Sequence, residues 1–187
     1  MSKKNQIIFF CAAIVVTLAV LVIYRRTFLP VRLNDKIDDL ATTEKSVPVL
    51  IYNAAFERLQ RHFTDDQSAL LATLMVAQSK LETANYTSAV YLQNNNAFGY
   101  KYYADSIYQA GMGLAAPASE NDNYGIYANV ADSAREVADW IGRRSADFTN
   151  VTGVYDYAAA LSNDKYFTEA ADLYAADMNH YFTTNIA

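Results

Sequence analysis

The sequence predicts a mainly α-helical domain with a small β-hairpin lobe, preceded by a single transmembrane helix. Three observations lead there. Residues 7–24 form one uncharged apolar run. Helical periodicity recurs from residue 48 to residue 83 and again from residue 133. The stretch between is rich in Asn, Tyr and Gly, with one short alternating segment. At 187 residues the chain suits one domain with an appendage.

The apolar run IIFFCAAIVVTLAVLVIY lies between Lys4 and Arg25. Roughly 20 helical residues span a hydrocarbon core of ~30 Å, and this run shows no polar face, so a bilayer is its expected solvent. A cleaved signal peptide is the rival, since Lys3 and Lys4 resemble its charged start. The run is long, however, and ends in Tyr24-Arg25-Arg26 rather than a small-residue cleavage site. Basic groups on both sides, with Arg32 beyond, leave the orientation open. Residues 1–26 are thus read as anchor and flanks, and residues 27–47, polar and containing Pro30, as a stalk.

Residues 48–187 are read as the folded domain. Pro48 suits the first turn of a helix reaching about His62, with Leu50, Ala54, Phe56 and Leu59 as apolar positions. Thr64-Asp65-Asp66-Gln67 has the form of a capping box opening a helix over 65–83. Leu71, Met75, Gln78 and Glu82 share one face of it, widened by Leu70, Leu74 and Leu81. Tyr124-Gly125-Ile126-Tyr127 alternates as a strand does, and Gly111–Gly113 permits a turn before it. Ser133 and Glu136 suggest a second capping box for a helix over 133–144, with Val137, Trp140 and Ile141 inward. Further helices are expected over 154–161 and 168–182.

Composition excludes several functions. Residues 1–32 hold five basic groups and no acidic one, while the remainder holds 10 basic and 20 acidic groups, a net of −10. A body so acidic is unsuited to sequence-independent nucleic-acid binding, which sets cations against phosphates. The one cysteine, Cys11, lies in the apolar run, which excludes an intrachain disulfide, a multi-cysteine zinc site and a cysteine nucleophile working in water. His62 and His180 leave little for metal chemistry. Neither a G-x-S-x-G elbow, a P-loop nor a dinucleotide fingerprint occurs. No metal or cofactor is expected.

Glu82 stands apart from the other carboxylates. It closes an apolar helix face, where partial desolvation disfavours its charged form. A carboxylic acid kept protonated is what a glycosidic leaving oxygen requires. The plain alternative is a solvated Glu at a helix end, although negative charge is unfavourable at a C-terminus.

The residues around it carry a resemblance. Gln78-Ser79-Lys80-Leu81-Glu82-Thr83-Ala84-Asn85-Tyr86-Thr87-Ser88, then Asn94-Asn95-Asn96-Ala97-Phe98-Gly99-Tyr100-Lys101, resembles the glucosaminidase-type peptidoglycan hydrolases of the lysozyme superfamily, glycoside hydrolase family 73. The strand at Tyr124–Tyr127 before Asp132-Ser133, and the tyrosine-rich end at Tyr157, Tyr166 and Tyr174, follow in the same order. Ala84 stands where that family usually has Gly, and two extra residues separate Tyr166 from Tyr174.

The resemblance implies an α+β lysozyme-like domain that cuts the β-1,4 glycan backbone of peptidoglycan, with Glu82 as general acid. It implies that Tyr166 approaches the substrate from the closing helix. Asn95, Asn96, Phe98, Gly99 and Lys101 would line the sugar groove, joined by Tyr86 and Tyr127. For a second carboxylate Glu120 is favoured, with Asp122 and Asp105 as alternatives. A lytic transglycosylase or muramidase of the same superfamily, or a glycan-binding module without turnover, would share these features. The expected setting is a bacterial envelope or the membrane of a lipid-containing phage, with residues 7–24 in the bilayer and the oligomeric state undetermined.

Overall fold

A computed structural model of the chain describes residues 46–115 and 123–186. Among these residues no helix is long and apolar enough to cross a membrane. The expected span 7–24, residues 27–45 of the expected stalk, Glu120 and Asp122 lie outside the described residues; Val47, read as the end of the stalk, instead opens the first helix of the domain, capped by Ser46.

Among the described residues seven helices and a two-stranded sheet follow in order: α1 Val47–Leu59, α2 Asp65–Glu82, α3 Ala89–Asn94, β1 Gln109–Ala115, β2 Asn123–Tyr127, α4 Val130–Gly142, α5 Ser145–Phe148, α6 Val154–Asn163 and α7 Ala171–Ile186. The expected architecture, mainly α with a small hairpin, is the one observed. α1 packs against α4 and α2, while α7 packs against α6 and α2, so α2 is the central helix. Its inward face, Leu71, Leu74, Met75 and Gln78, is fully buried, and Ile51, Leu59, Ile141, Leu161 and Met178 close the core around it. Each large apolar side chain so buried contributes roughly 1.5–3 kcal/mol.

Pro48 starts α1 as expected, in a first turn where its missing N–H costs nothing. At α2, Thr64 caps as expected, its Oγ1 accepting the Gln67 N–H at 3.3 Å. The reciprocal half of the box is absent. Gln67 instead donates Nε2 to the carbonyls of Phe148 and Val151, both at 3.0 Å, tying α2 to the α5–α6 segment.

Three further expectations are corrected. Gly111–Gly113 is no turn but lies inside β1, where Gly111 pairs with Ile126 and Met112 with Gly125. A Cβ at Gly113 would stand 2.3 Å from Asn94 Nδ2, so the strand runs close over α3 and needs a residue without a side chain. The second capping box does not form. α4 begins three residues early at Val130, with Asn129 Oδ1 accepting the Asp132 N–H at 3.1 Å. Ser133 and Glu136 point inward, both buried. The closing helix starts at Ala171, so Tyr166 sits in the turn before it.

Two carboxylates of α4 tie the hairpin lobe to the helices. Asp139 accepts from Arg58 Nε at 2.8 Å and Nη2 at 2.5 Å, and from Tyr108 Oη at 2.5 Å. Glu136 accepts from Gln109 Nε2 at 2.9 Å and from the Tyr127 hydroxyl. A buried carboxylate is tolerable only with such partners.

Candidate active site

Glu82 is the last residue of α2, and the chain reverses immediately after it. Ala84 N–H donates to Leu81 O at 3.2 Å and Asn85 N–H to Lys80 O at 2.7 Å, the bond pair of a Schellman motif. Ala84, Asn85 and Tyr86 follow at φ 48°, 57° and 65°. Thr83, fully buried, holds this turn: its Oγ1 donates to Ser79 O at 2.6 Å and accepts the Tyr86 N–H at 2.8 Å. The remaining non-glycine residues with positive φ among the described residues are Asn95 and Lys165. Among the described residues, left-handed backbone thus falls in turns that adjoin groove-lining segments, and such strain gathers where function over-determines geometry.

The Glu82 carboxyl is held from one side. Tyr174, buried on α7, donates its hydroxyl to Oε1 at 2.6 Å, and the Tyr174 ring stacks on Phe167 with centroids 4.0 Å apart. The other oxygen, Oε2, faces Gly99, where a Cβ would stand 3.5 Å away. That is ordinary contact distance, so it is the φ of +60° rather than lack of room that favours glycine there. Burial pushes the carboxyl above the usual carboxylate range. The Tyr174 hydrogen bond opposes that rise and the charge of Glu169 adds to it. Because Oε1 accepts from Tyr174, a proton on the acid belongs on Oε2.

Beside this oxygen opens a groove of about 700 Å³, lined by Glu82, Phe98, Gly99, Lys101, Trp140 and Tyr166 among others. Tyr100, Tyr102, Tyr103 and Tyr124 add aromatic surface, and Asp164, Lys165 and Thr168 come from the α6–α7 turn. Tyr166 donates its hydroxyl to Phe98 O at 3.1 Å, and its ring meets the edge of Trp140 at 5.2 Å. Aromatic faces with polar tips suit sugar rings, which offer C–H patches and hydroxyls together. Among the described residues no three His, Cys, Asp or Glu side chains gather as a metal site would require.

The structure therefore brings together Glu82, Phe98, Gly99, Lys101 and Tyr166 of the expected site residues. Asn95, Asn96, Tyr86 and Tyr127 stand elsewhere. Asn96 is fully buried and spends both ends of its amide on backbone: Nδ2 on Tyr100 O at 2.8 Å and Gly125 O at 3.1 Å, Oδ1 on the N–H groups of Phe98 and Tyr100. Asn95 donates to Tyr127 O at 3.0 Å. Tyr127 is buried on Glu136, and the Tyr86 hydroxyl meets Ser79 Oγ at 3.0 Å. These four residues shape the loop and lobe that carry the groove. Asp105 is exposed and outside the groove lining.

Trp140, expected on the inward side of its helix, is buried in the core and also edges the groove, a second position its spacing does not show; Tyr174 has no role assigned from the sequence. The spacing of eight residues between Tyr166 and Tyr174 is the signal available for the second. It places Tyr166 in the turn, where it lines the groove, and Tyr174 on α7, where its hydroxyl reaches the Glu82 carboxyl.

Comparison with known proteins gives one family. A family model described as glucosaminidase, mannosyl-glycoprotein endo-beta-N-acetylglucosaminidase, matches residues 64–186. No curated protein matches the sequence. Among solved structures, a chain from a type VI secretion system effector–immunity complex of Pseudomonas protegens has a TM-score of 0.49 at 14% identity, covering 68% of this chain and 91% of that one. The catalytic domain of the autolysin Auto from Listeria monocytogenes has a TM-score of 0.46 at 18% identity, covering 83% and 95%.

Proposed function

The chain belongs to the glucosaminidase family of glycoside hydrolases, and from that premise we propose that it cuts the glycan strand of peptidoglycan at a β-1,4 bond, with Glu82 as general acid. The observation that carries this reading is the Glu82 carboxyl itself: desolvated, anchored through Oε1 to Tyr174, and open through Oε2 beside Gly99.

In the proposed reaction a protonated Glu82 gives its Oε2 proton to the leaving glycosidic oxygen as the bond lengthens and the sugar takes on oxocarbenium character. Tyr174 holds the carboxyl so that the proton faces the groove, and its hydrogen bond stabilises the carboxylate left behind. Tyr166 and Trp140 offer ring surface beside it. For the water-activating step we propose Glu120, which belongs to the segment joining β1 to β2. The other groove-lining carboxylate among the described residues, Asp164, has its Oδ1 engaged by Arg144 Nε at 3.1 Å.

The anchor reading belongs to the same proposal. Residues 7–24 would sit in the bilayer of an envelope or phage membrane, and the tether would keep residues 48–187 at high local concentration against the wall.

The test is digestion of purified peptidoglycan by the full chain and by Glu82→Gln, with mass spectrometry of the products. Loss of one general acid is expected to slow cleavage roughly 100- to 10,000-fold. The terminal sugar identifies the bond, and a 1,6-anhydro end would reassign the reaction to a transglycosylase. Undiminished cleavage by Glu82→Gln would remove Glu82 from its role.

A further inference from the structure

Among the described residues, the lining of the groove carries a charge opposite to that of the domain around it. Beyond the first 32 residues the chain has a net charge of −10, yet Lys101 and Lys165 both line the groove. The two carboxylates that line it among the described residues do not offset them. Asp164 is paired with Arg144 at 3.1 Å, and Glu82 carries no charge in the protonated form that general acid catalysis uses.

The two lysines are held differently. Lys101 is engaged, with Nζ 4.0 Å above the centre of the Tyr124 ring. Lys165 is exposed, and its ammonium has no ion pair or hydrogen bond among the described residues. Its backbone is the unusual part. At the C-terminus of α6, Lys165 N–H donates to Ser162 O at 3.0 Å and Tyr166 N–H to Leu161 O at 3.0 Å, the bonds of a Schellman motif. Lys165 occupies the left-handed position of that motif, at φ 58°. Glycine takes that position at least steric cost, and asparagine next. A cation is favourable near a helix C-terminus, but any place in the last turn would serve that purpose without strain.

Building on the glycan-hydrolase reading above, we infer that Lys165 is a specificity-determining residue that binds a carboxylate carried on the glycan's side groups, so that the groove selects an anionic glycan over a neutral one. The aromatic lining would take the sugar rings, and an ammonium carried on the fixed backbone of the turn before Tyr166 would take the charge. The carboxylate has two alternative sources, the lactyl group of a sugar that carries no peptide and the stem peptide of one that does. Their common chemistry is what the lysine reads.

The chain's single tryptophan, Trp140, lines the groove and reports occupancy by fluorescence without need of turnover. Full-length protein is titrated with soluble glycan fragments of three kinds: bearing stem peptides with free carboxylates, whose attachment turns the lactyl carboxyl into an amide; bearing the free lactyl carboxylate and no peptide; and with all carboxylates capped as amides. Wild type is expected to bind one or both of the first two about 3- to 10-fold more tightly than the capped glycan, and the fragment that shows the preference names the source. Lys165→Gln should bring the carboxylate-bearing fragments to the capped value and leave the capped value unchanged, while Lys165→Arg keeps the preference. Lys165→Gly relieves the left-handed strain, so it should melt at a higher temperature than wild type and yet lose the preference. A merely structural lysine predicts the higher melting temperature with the preference intact. Equal wild-type affinity for capped and uncapped glycans, or an equal shift of both in Lys165→Gln, would overturn the assignment. Absence of cleavage of any glycan by wild type would instead strike the hydrolase reading, leaving these binding results to decide the subsite.

Discussion

Replacing Ala84 with glycine should stabilise this protein without changing its activity. The turn after Glu82 runs through Ala84, Asn85 and Tyr86, all left-handed, with Ala84 in the position of a Schellman motif that glycine usually fills. A Cβ in that region costs about 1–2 kcal/mol. Glycine removes this cost but gives the unfolded chain more freedom, worth about 0.4–1 kcal/mol against it. Ala84 is exposed, so little packing is lost with its methyl group. The net is a gain of roughly 0.5–1 kcal/mol, or a rise of roughly 2–3 °C in melting temperature for a chain of this size. Denaturant unfolding of Ala84→Gly beside Asn85→Gly provides an internal control. Asparagine already tolerates the left-handed region, so its replacement should be neutral or slightly destabilising. If Ala84→Gly lowered the midpoint, or the two variants moved together, the assignment of strain to residue 84 would be wrong.

Other expectations concern protons and packing. Activity should fall as pH rises through the elevated Glu82 value, since the acid must be protonated. Tyr174→Phe should move that limb to higher pH by removing a bond that favours the ionised form, whereas Glu169→Gln should move it lower. Limbs that stay still in both pH–rate profiles would refute the assignment. Glu82→Gln should also be the more stable protein at neutral pH: a carboxyl whose folded value is raised loses stability as pH climbs through the window above its unfolded value. Equal stability of the two by denaturant titration would count against desolvation of Glu82. The Asp139 carboxyl has the opposite sign. Burial would raise it, but the bonds from Arg58 and Tyr108 outweigh burial and hold it low. Arg58→Met should therefore cost roughly 1.5–3 kcal/mol at neutral pH, a deficit that shrinks as acid passes below the depressed Asp139 value. A deficit independent of pH would argue that Arg58 acts by packing alone. At Gly125, a Cβ would stand 2.5–2.8 Å from the Gln109 amide, which bonds Glu136, Lys101 O and the Tyr103 N–H. Gly125→Ala should cost about 1–3 kcal/mol and loosen the lobe side of the groove, read as a raised KM. A fully stable Gly125→Ala would show that Gln109 is not held there.

What the sequence alone determined was local. Pro48 at the start of α1, Thr64 at the start of α2 and the 3.6-residue stripe from Leu71 to Glu82 depend on neighbours within one or two turns, and they appear as expected. The candidate acid was legible for the same reason: it ends an apolar stripe, and the motif that follows it is contiguous. The six-residue α3 was not, because so short a helix has too few periodic positions to show a pattern and depends on packing to form.

Only the tertiary structure decided which polar groups face the groove. Gln67, Ser133 and Glu136 have the spacing of caps, yet long-range partners claim them: the carbonyls of Phe148 and Val151, the Ala97 N–H, and the Gln109 and Tyr127 side chains. Asn96 resembles a ligand-binding amide until the loop folds and backbone groups from two segments saturate it. Tyr174 approaches Glu82 only when α7 packs on α2, across 92 residues of chain. A polar side chain has more available hydrogen-bond partners than it can use. Which of them it uses depends on which distant segment arrives, and spacing along the chain carries no record of that arrival.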